Sequence, residues 1–175
     1  MTEIIKDARV VDDAWQTLKL AEGDAAETVA LPAAPTLVPL AVWRARRDEL
    51  LARQTPFGLW LDSHEGPEEI ADDLKHFALV AVNFPKFADG RGYSTARLLR
   101  ERYGYRGELR AIGDVLRDQL FLLRRCGFDA FAVRADKDIR DALAGFEVFS
   151  ERYQSAVDEP LPLFRRRAAG EPSHG

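Results

Sequence analysis

The sequence is poor in cysteine and histidine, the side chains that most often hold zinc, iron–sulfur clusters and haem. It has one cysteine, Cys126, and three histidines among 175 residues. A single cysteine excludes an internal disulfide, a Cys-only metal site and an iron–sulfur cluster. Flavin, nicotinamide and haem-attachment motifs are missing as well. The sequence therefore predicts no metal site and no cofactor held by the chain itself.

Long apolar runs are also missing. None approaches the ~18 residues that a membrane span needs, and the opening MTEIIKDARVVDDAW lacks the layout of a signal peptide. The net charge of -4, from 25 basic and 29 acidic residues, gives no overall attraction to nucleic acid or membranes. We therefore expect a cytoplasmic protein that binds neither nucleic acid nor a membrane.

What the sequence does have is an alternation of strands and helices from residue 36 onward. Strands are predicted at 36–40, 57–62, 79–84, 109–114 and 128–134, and helices at 42–54, 67–77, 95–103, 116–126 and 138–153. This alternation predicts a single α/β domain with a mainly parallel sheet of about five strands. An open, doubly wound sheet is the first expectation. The alternative is a partial β/α barrel, because five units fall short of eight.

The remaining segments are predicted from composition. Two apolar pairs around Lys6 and Asp7 indicate an N-terminal β arm over 1–16, with a hairpin turn near these residues. Residues 17–35, rich in Ala, acids and Pro, read as a loop. The α/β domain is then predicted over 36–164, followed by a disordered tail over 165–175.

The carboxyl ends of the strands predict where a site lies, because ligands of open parallel sheets bind there. Polar side chains follow the predicted strands at this edge: Asp62, Asn83, Lys86, Asp114, Arg134 and Asp136. The loop FPKFADGRGYS is the richest segment, with glycines that permit close approach of a ligand. Ser94 is predicted to cap the next helix, whose free N–H groups attract anions. The glycine spacings of a P-loop and of a dinucleotide fingerprint are absent.

Two interpretations of this loop stay open. In one, an anion is held by Lys86, Arg91, Ser94 and Arg134, with Tyr93 free to contact the ligand and Asp89 or Asp114 as catalytic acid-base group. In the other, Lys86, Asp89 and Arg91 form only a surface ion-pair cluster on a tight turn. Residues 86–125 hold ten basic and five acidic residues, a surplus that predicts attraction to an anion or an acidic protein face.

The segments FPKFADGRGYS and GELRAIGDVLRDQ resemble a bacterial domain of unknown function, family 934, and the similarity extends from Ile4 to Phe164. The resemblance implies a gene beside assimilatory sulfite reductase and the label of an oxidoreductase in sulfite reduction. It supplies no established catalytic residues. This gene context, together with the missing redox motifs, favours an accessory protein that docks onto sulfite reductase or its electron donor through the basic segment. The alternatives are a small anion-binding oxidoreductase acting on sulfite or a phosphorylated or sulfated metabolite, and a structural partner without ligand.

Overall fold

Eight strands form one sheet in the part of the chain that the structure, a computed structural model, describes: residues 2–86 and 89–149. They are β1 (Thr2–Lys6), β2 (Arg9–Asp13), β3 (Gln16–Thr17), β4 (Thr36–Pro39), β5 (Phe57–Leu61), β6 (Leu79–Phe84), β7 (Glu108–Gly113) and β8 (Ala130–Phe131). Across the sheet the order is β2-β1-β8-β7-β6-β5-β4-β3. Strands β3 to β8 pair in parallel, whereas β1 is antiparallel to β2 and β8. The mainly parallel sheet is confirmed.

The sheet is singly wound and curls into a half-barrel. From β3 to β8 each strand lies beside the next one in the chain, so right-handed crossovers place their connections on the same face. A doubly wound sheet would reverse its strand order part-way, so that first expectation is wrong and the partial-barrel alternative is confirmed. The sequence could not separate the two, since both have the same strand–helix alternation.

Apolar side chains fill both faces of the curled sheet. Alternate strand residues, such as Val38 and Leu59, pack with the helices in the larger core. Their neighbours face the concave side and form a smaller cluster: Leu37, Trp60, Leu79, Ala81 and Ile112. Trp15 packs against this inner cluster, and Trp60 Nε1 donates to Leu18 O at 2.9 Å. The interior of the curl is thus a packed core.

The N-terminal hairpin accounts for the curl. Asp7 and Ala8 adopt φ of 51° and 60° at its turn, which confirms the predicted hairpin. Strands β2 and β3 lie at opposite edges of the sheet, yet only Ala14 and Trp15 separate them in the chain. Three residue steps span at most about 11 Å, so the two edges must come close together. The N-terminal arm therefore belongs to the sheet.

Two of the predicted helices are broken. The expected helix over 42–54 is divided into α1 (Leu40–Ala45) and α2 (Arg47–Ala52), because Arg46 leaves helical geometry at φ -131° and ψ 33°. The expected helix over 67–77 consists of two 3-10 segments, Pro67–Glu69 and Ala71–His76. Residues 18–35 form neither helix nor strand, as expected of a loop.

The other helices lie close to their predicted positions. Helix α3 (Arg91–Arg97) continues as a π-helical turn (Leu98–Arg102) and begins four residues before the predicted start, so Ser94 is not its cap. Helix α4 (Arg117–Cys126) ends at Gly127, whose φ of 118° is left-handed. Helix α5 (Ile139–Phe149) follows. The predicted end of this helix at 153, the rest of the domain to 164 and the tail over 165–175 lie outside the described residues.

Candidate functional site

The ends of β5, β6 and β7 are joined by polar contacts. Asp62 Oδ1 accepts hydrogen bonds from Asn83 Nδ2 at 3.0 Å and from Ser63 N at 2.8 Å. Asn83 Oδ1 and the Phe84 carbonyl in turn lie where a Cβ on Gly113 would stand. The φ of 92° at Gly113 favours glycine there for a second reason. Asn83 therefore lies between Asp62, which follows β5, and Gly113 at the end of β7.

Arg91 joins the loop after β6 to the loop after β5. Its Nε and Nη2 donate to both carboxylate oxygens of Asp89, at 3.0 and 2.6 Å, and Nη2 also donates to Ser63 Oγ at 2.9 Å. Asp89 Oδ1 additionally accepts the Arg91 backbone N–H at 3.0 Å. These hydrogen bonds from Arg91 lower the pKa of Asp89 to about 2. Asp89 is thus a carboxylate at neutral pH. It can orient a group by hydrogen bonding, whereas its lowered pKa makes it a weak base and leaves it no proton to donate.

Arg134, which follows β8, makes the corresponding contacts with two further aspartates. It donates to Asp114 Oδ1 at 2.9 Å and to both oxygens of Asp136 at 2.8 and 2.6 Å. Hydrogen bonds to Asp136 and Asp114 raise the pKa of Arg134, and the same contact lowers that of Asp136. The position of Asp114 is fixed by its backbone, because Asp114 N donates to Phe84 O at 2.7 Å.

We call this set of side chains the carboxyl-edge row. Its members lie at or directly beyond the carboxyl ends of four adjacent parallel strands, and they are Asp62, Ser63, Asn83, Asp89, Arg91, Asp114, Arg134 and Asp136. Two arginines stand among four aspartates, and both arginines already have carboxylate partners. The structure therefore brings together Asp89 with Arg91, and Asp114 with Arg134, as ion pairs.

The other predicted site residues lie apart from these ion pairs. Lys86 is exposed and makes no hydrogen bond or ion pair through its side chain to another described residue, although its carbonyl accepts Asp89 N at 3.0 Å. Ser94 is exposed in the middle of α3. Tyr93 is half-buried, packs edge-on against Phe84 at 5.4 Å and bonds to the Gln119 side chain. Burial raises the pKa of Tyr93, and the side chain faces the helical core.

The basic segment over 86–125 does not form one face. Arg110 points into the sheet interior, where it pairs with Asp13 and Glu108 and is 3% exposed. Arg100 is mostly buried and donates to the carbonyls of Tyr105, Gly107 and Gly127. These two arginines serve the fold, so the surplus of positive charge in the sequence overstates the positive charge of the surface.

Sequence reasoning missed the interior ion network of Lys6, Asp13, Glu108 and Arg110. One signal for it was present: charged residues alternate with apolar ones within the strand ELRAIG. Ser63 was missed too, and no signal marked it. Cys126 is a buried thiol whose pKa burial raises, in keeping with a packing role.

Within residues 2–86 and 89–149, no group of three or more His, Cys, Asp or Glu side chains could hold a metal ion. Within the same residues, every helix is too short or too polar to cross a bilayer.

The family model described as "Bacterial protein of unknown function (DUF934)" matches residues 58–164. The chain belongs to the DUF934 family. All of the carboxyl-edge row lies within the matched DUF934 region, whereas β1 to β4 precede it. Neither a curated protein nor a solved structure matches the chain.

Proposed function

We propose that this DUF934 protein is an accessory protein of assimilatory sulfite reduction. It docks its carboxyl-edge row onto sulfite reductase or onto the reductase's electron donor. The observation that carries the proposal is that Arg91, Arg134 and Asp136 are ion-paired and yet exposed, with side-chain exposures of 60%, 39% and 56%. The gene neighbourhood implied by the family resemblance supplies the choice of partner.

The pairing of the two arginines favours a protein partner over a small anion. An anion entering the row has to displace Asp89 from a two-point contact with Arg91, and Asp114 and Asp136 from Arg134. A protein surface of complementary charges can add contacts without breaking these pairs. Such charge complementarity governs the rate and specificity of association.

The test is association of the full chain with purified sulfite reductase and, separately, with its electron donor. Binding is measured at ionic strengths of about 0.01 M and about 0.15 M, between which the screening length falls from about 30 Å to about 8 Å. We expect salt-sensitive binding, and about tenfold slower association for Arg91→Glu or Arg134→Glu.

The matched control is Arg9→Glu, an exposed arginine beside the hairpin turn at the amino end of β8. It makes the same change of charge and is expected to leave association unchanged. Circular dichroism confirms that each variant folds, and Arg91→Met replaces Arg91→Glu if the latter does not. Absence of binding to both proteins at the lower ionic strength would refute the docking function.

A second candidate, a small anion-binding enzyme, is favoured by one observation. Lys86 is an exposed cation without an ion pair among the described residues, on the same loop as Arg91. In this candidate Lys86, Arg91, Ser94 and Arg134 hold sulfite, sulfate or a sulfated or phosphorylated metabolite. Asp89 or Asp114 then accepts or orients a proton.

Thermal unfolding with sulfite, sulfate, phosphate and adenylyl sulfate tests this candidate. Ligand at ~100 times its dissociation constant adds about 2.7 kcal/mol to the free energy of unfolding. Lys86→Ala is expected to abolish that gain, while Lys19→Ala, which changes an exposed lysine of the 18–35 loop, keeps it. If none of the four anions raises the thermal stability, the anion-binding enzyme is rejected and the docking proposal is unaffected.

A further inference from the structure

A second surface feature lies at the amino edge of the sheet, opposite the carboxyl-edge row. A cavity of about 480 Å³ opens there, between the segment before β6 and the segment before β7. Phe77, Tyr103 and Tyr105 contribute its aromatic lining. Its volume lies within the range of about 300–1,000 Å³ that is typical of small-molecule sites.

The walls of this cavity are fixed by hydrogen bonds. The Tyr105 hydroxyl donates to Phe77 O at 3.1 Å, which joins the two segments. Arg100 Nη1 donates to Tyr105 O and to Gly107 O, each at 2.8 Å, and so holds the turn before β7. The Arg102 guanidinium lies 5.8 Å from the centre of the Tyr103 ring. A ligand would therefore meet a preformed surface.

The charged residues that line the cavity differ from those of the carboxyl-edge row. Lys75 and Arg106 are exposed and form no hydrogen bond or ion pair through their side chains to another described residue. Asp72, also exposed, is likewise without such a partner. Arg106 stands close enough to Arg100 to help lower its pKa, after burial as the main cause. Two cations and one acid that have no partner among the described residues thus line a cavity with aromatic residues in its wall.

We propose that this cavity binds a small organic anion of single negative charge with an aromatic body. Its carboxylate or sulfonate group meets Lys75 and Arg106. Its ring lies against Tyr103, the most exposed of the three aromatic residues of the lining, since Phe77 and Tyr105 are each 5% exposed. Charge-assisted hydrogen bonds from unpaired cations do not require an existing ion pair to break. Asp72 disfavours a second negative charge on the ligand. The site is independent of the docking function, since it lies at the opposite edge of the sheet.

The probes are benzoate and benzenesulfonate, titrated into the full ¹⁵N-labelled chain and followed by NMR. We expect saturable shifts of the Gly104 and Gly107 amides, which line the cavity. Benzamide, which keeps the ring and lacks the charge, and inorganic sulfate, which lacks the ring, serve as controls and should bind at least about fivefold more weakly.

Variants that remove the two positive charges and a variant that removes the negative charge should change the affinity in opposite directions. Lys75→Met with Arg106→Met is expected to weaken benzoate binding about fivefold or more, and Asp72→Asn to tighten it. Lys19→Met is the control and should change nothing. All of these side chains are exposed, so the variants are expected to fold. Benzamide binding as tightly as benzoate, shifts outside the cavity, or an unchanged affinity in the double variant would each overturn the proposal.

Discussion

Arg110 in β7 donates a hydrogen bond to Asp13 at the end of β2 over 3.0 Å, although 97 residues separate them in the chain. Strands β1 and β8 lie between β2 and β7 in the sheet, so this contact crosses the interior of the curl. Arg110 also donates to Glu108 at 2.8 Å, and Lys6 pairs with Glu108 at 2.7 Å. The network ties the N-terminal hairpin to the middle of the sheet.

Replacing Arg110 should therefore destabilise the protein strongly. Its side chain is 4% exposed, and those of Asp13 and Glu108 are 10% and 11% exposed. Arg110→Met leaves the nearly buried Asp13 without its ion-pair partner and leaves Glu108 with Lys6 alone. This should cost about 3–5 kcal/mol of the free energy of unfolding. Urea denaturation followed by tryptophan fluorescence measures the loss.

An exposed ion pair supplies the control for Arg110. Arg140 pairs with Glu3 at 3.0 Å, and the two side chains are 69% and 38% exposed. Arg140→Met should cost less than about 1 kcal/mol, because solvent screens such pairs. Equal losses in the two variants would show that the interior network contributes no more than a surface pair.

Arg110 also shows the limit of prediction from sequence. The strand itself was predicted from its apolar residues Leu109, Ala111 and Ile112, which is local information. The partner of Arg110 depends on which strands the curl brings together, and that is set by pairings between residues far apart in the chain. Counting charges along residues 86–125 therefore assigned Arg110 to a surface, and the structure places it in the core.

The carboxyl-edge row was predicted only in part, because its side-chain contacts also depend on the tertiary fold. Parallel strands imply that Asp62, Asn83, Asp114 and Arg134 share an edge, and they do. Which cation meets which carboxylate depends on side-chain geometry within the loops. The start of α3 was misplaced because Ser94 is a favourable cap by composition, whereas Asp89 Oδ1 takes the backbone N–H of Arg91 at 3.0 Å.

Ser94→Ala tests whether Ser94 caps α3, as the sequence predicts, or lies within the helix, as the structure shows. Loss of a serine cap would cost about 1 kcal/mol. At an exposed site inside α3, alanine has the higher helix propensity, so the variant should be neutral or more stable by up to about 0.5 kcal/mol. Thermal and urea unfolding measure the sign. A clear destabilisation would place Ser94 at the start of the helix after all.

Arg100→Met should destabilise the protein, because this arginine holds backbone carbonyls of the fold. Its side chain is 14% exposed and donates to three backbone carbonyls, at 2.8, 2.8 and 2.9 Å. Losing these hydrogen bonds should cost about 2–4 kcal/mol, because hydrogen bonds from a charged donor are worth more than neutral ones. Arg102→Met, two residues further on and exposed, is the control and should change stability by less than about 0.5 kcal/mol. A comparable loss in both variants would contradict the carbonyl-binding role.

Gly113→Ala should disturb both the stability and the carboxyl-edge row. A Cβ at this position would overlap Asn83 Oδ1 and the Phe84 carbonyl, and the φ of 92° disfavours alanine. We expect a loss of about 2–4 kcal/mol, of which about 1 kcal/mol is backbone strain. Gly23→Ala isolates the strain, since Gly23 has φ of 89° and open space around it. If the two variants lose the same stability, the contact with Asn83 is unimportant.

The pKa of Asp89 gives a prediction in the acid range. It lies at about 2, below its ordinary value of 3.8, because Arg91 donates side-chain and backbone hydrogen bonds to the carboxylate. A lowered carboxylate pKa stabilises the folded protein above pH 4, and this contribution is lost as the pH falls from about 4 to about 2. The free-energy advantage of the wild type over Asp89→Asn should shrink across that window. Carbon-13 NMR of the carboxylate measures the pKa directly, and Arg91→Met should return it toward 3.8. An Asp89 that titrates near 3.8 in the wild type would mean that the Asp89–Arg91 pair does not persist in solution.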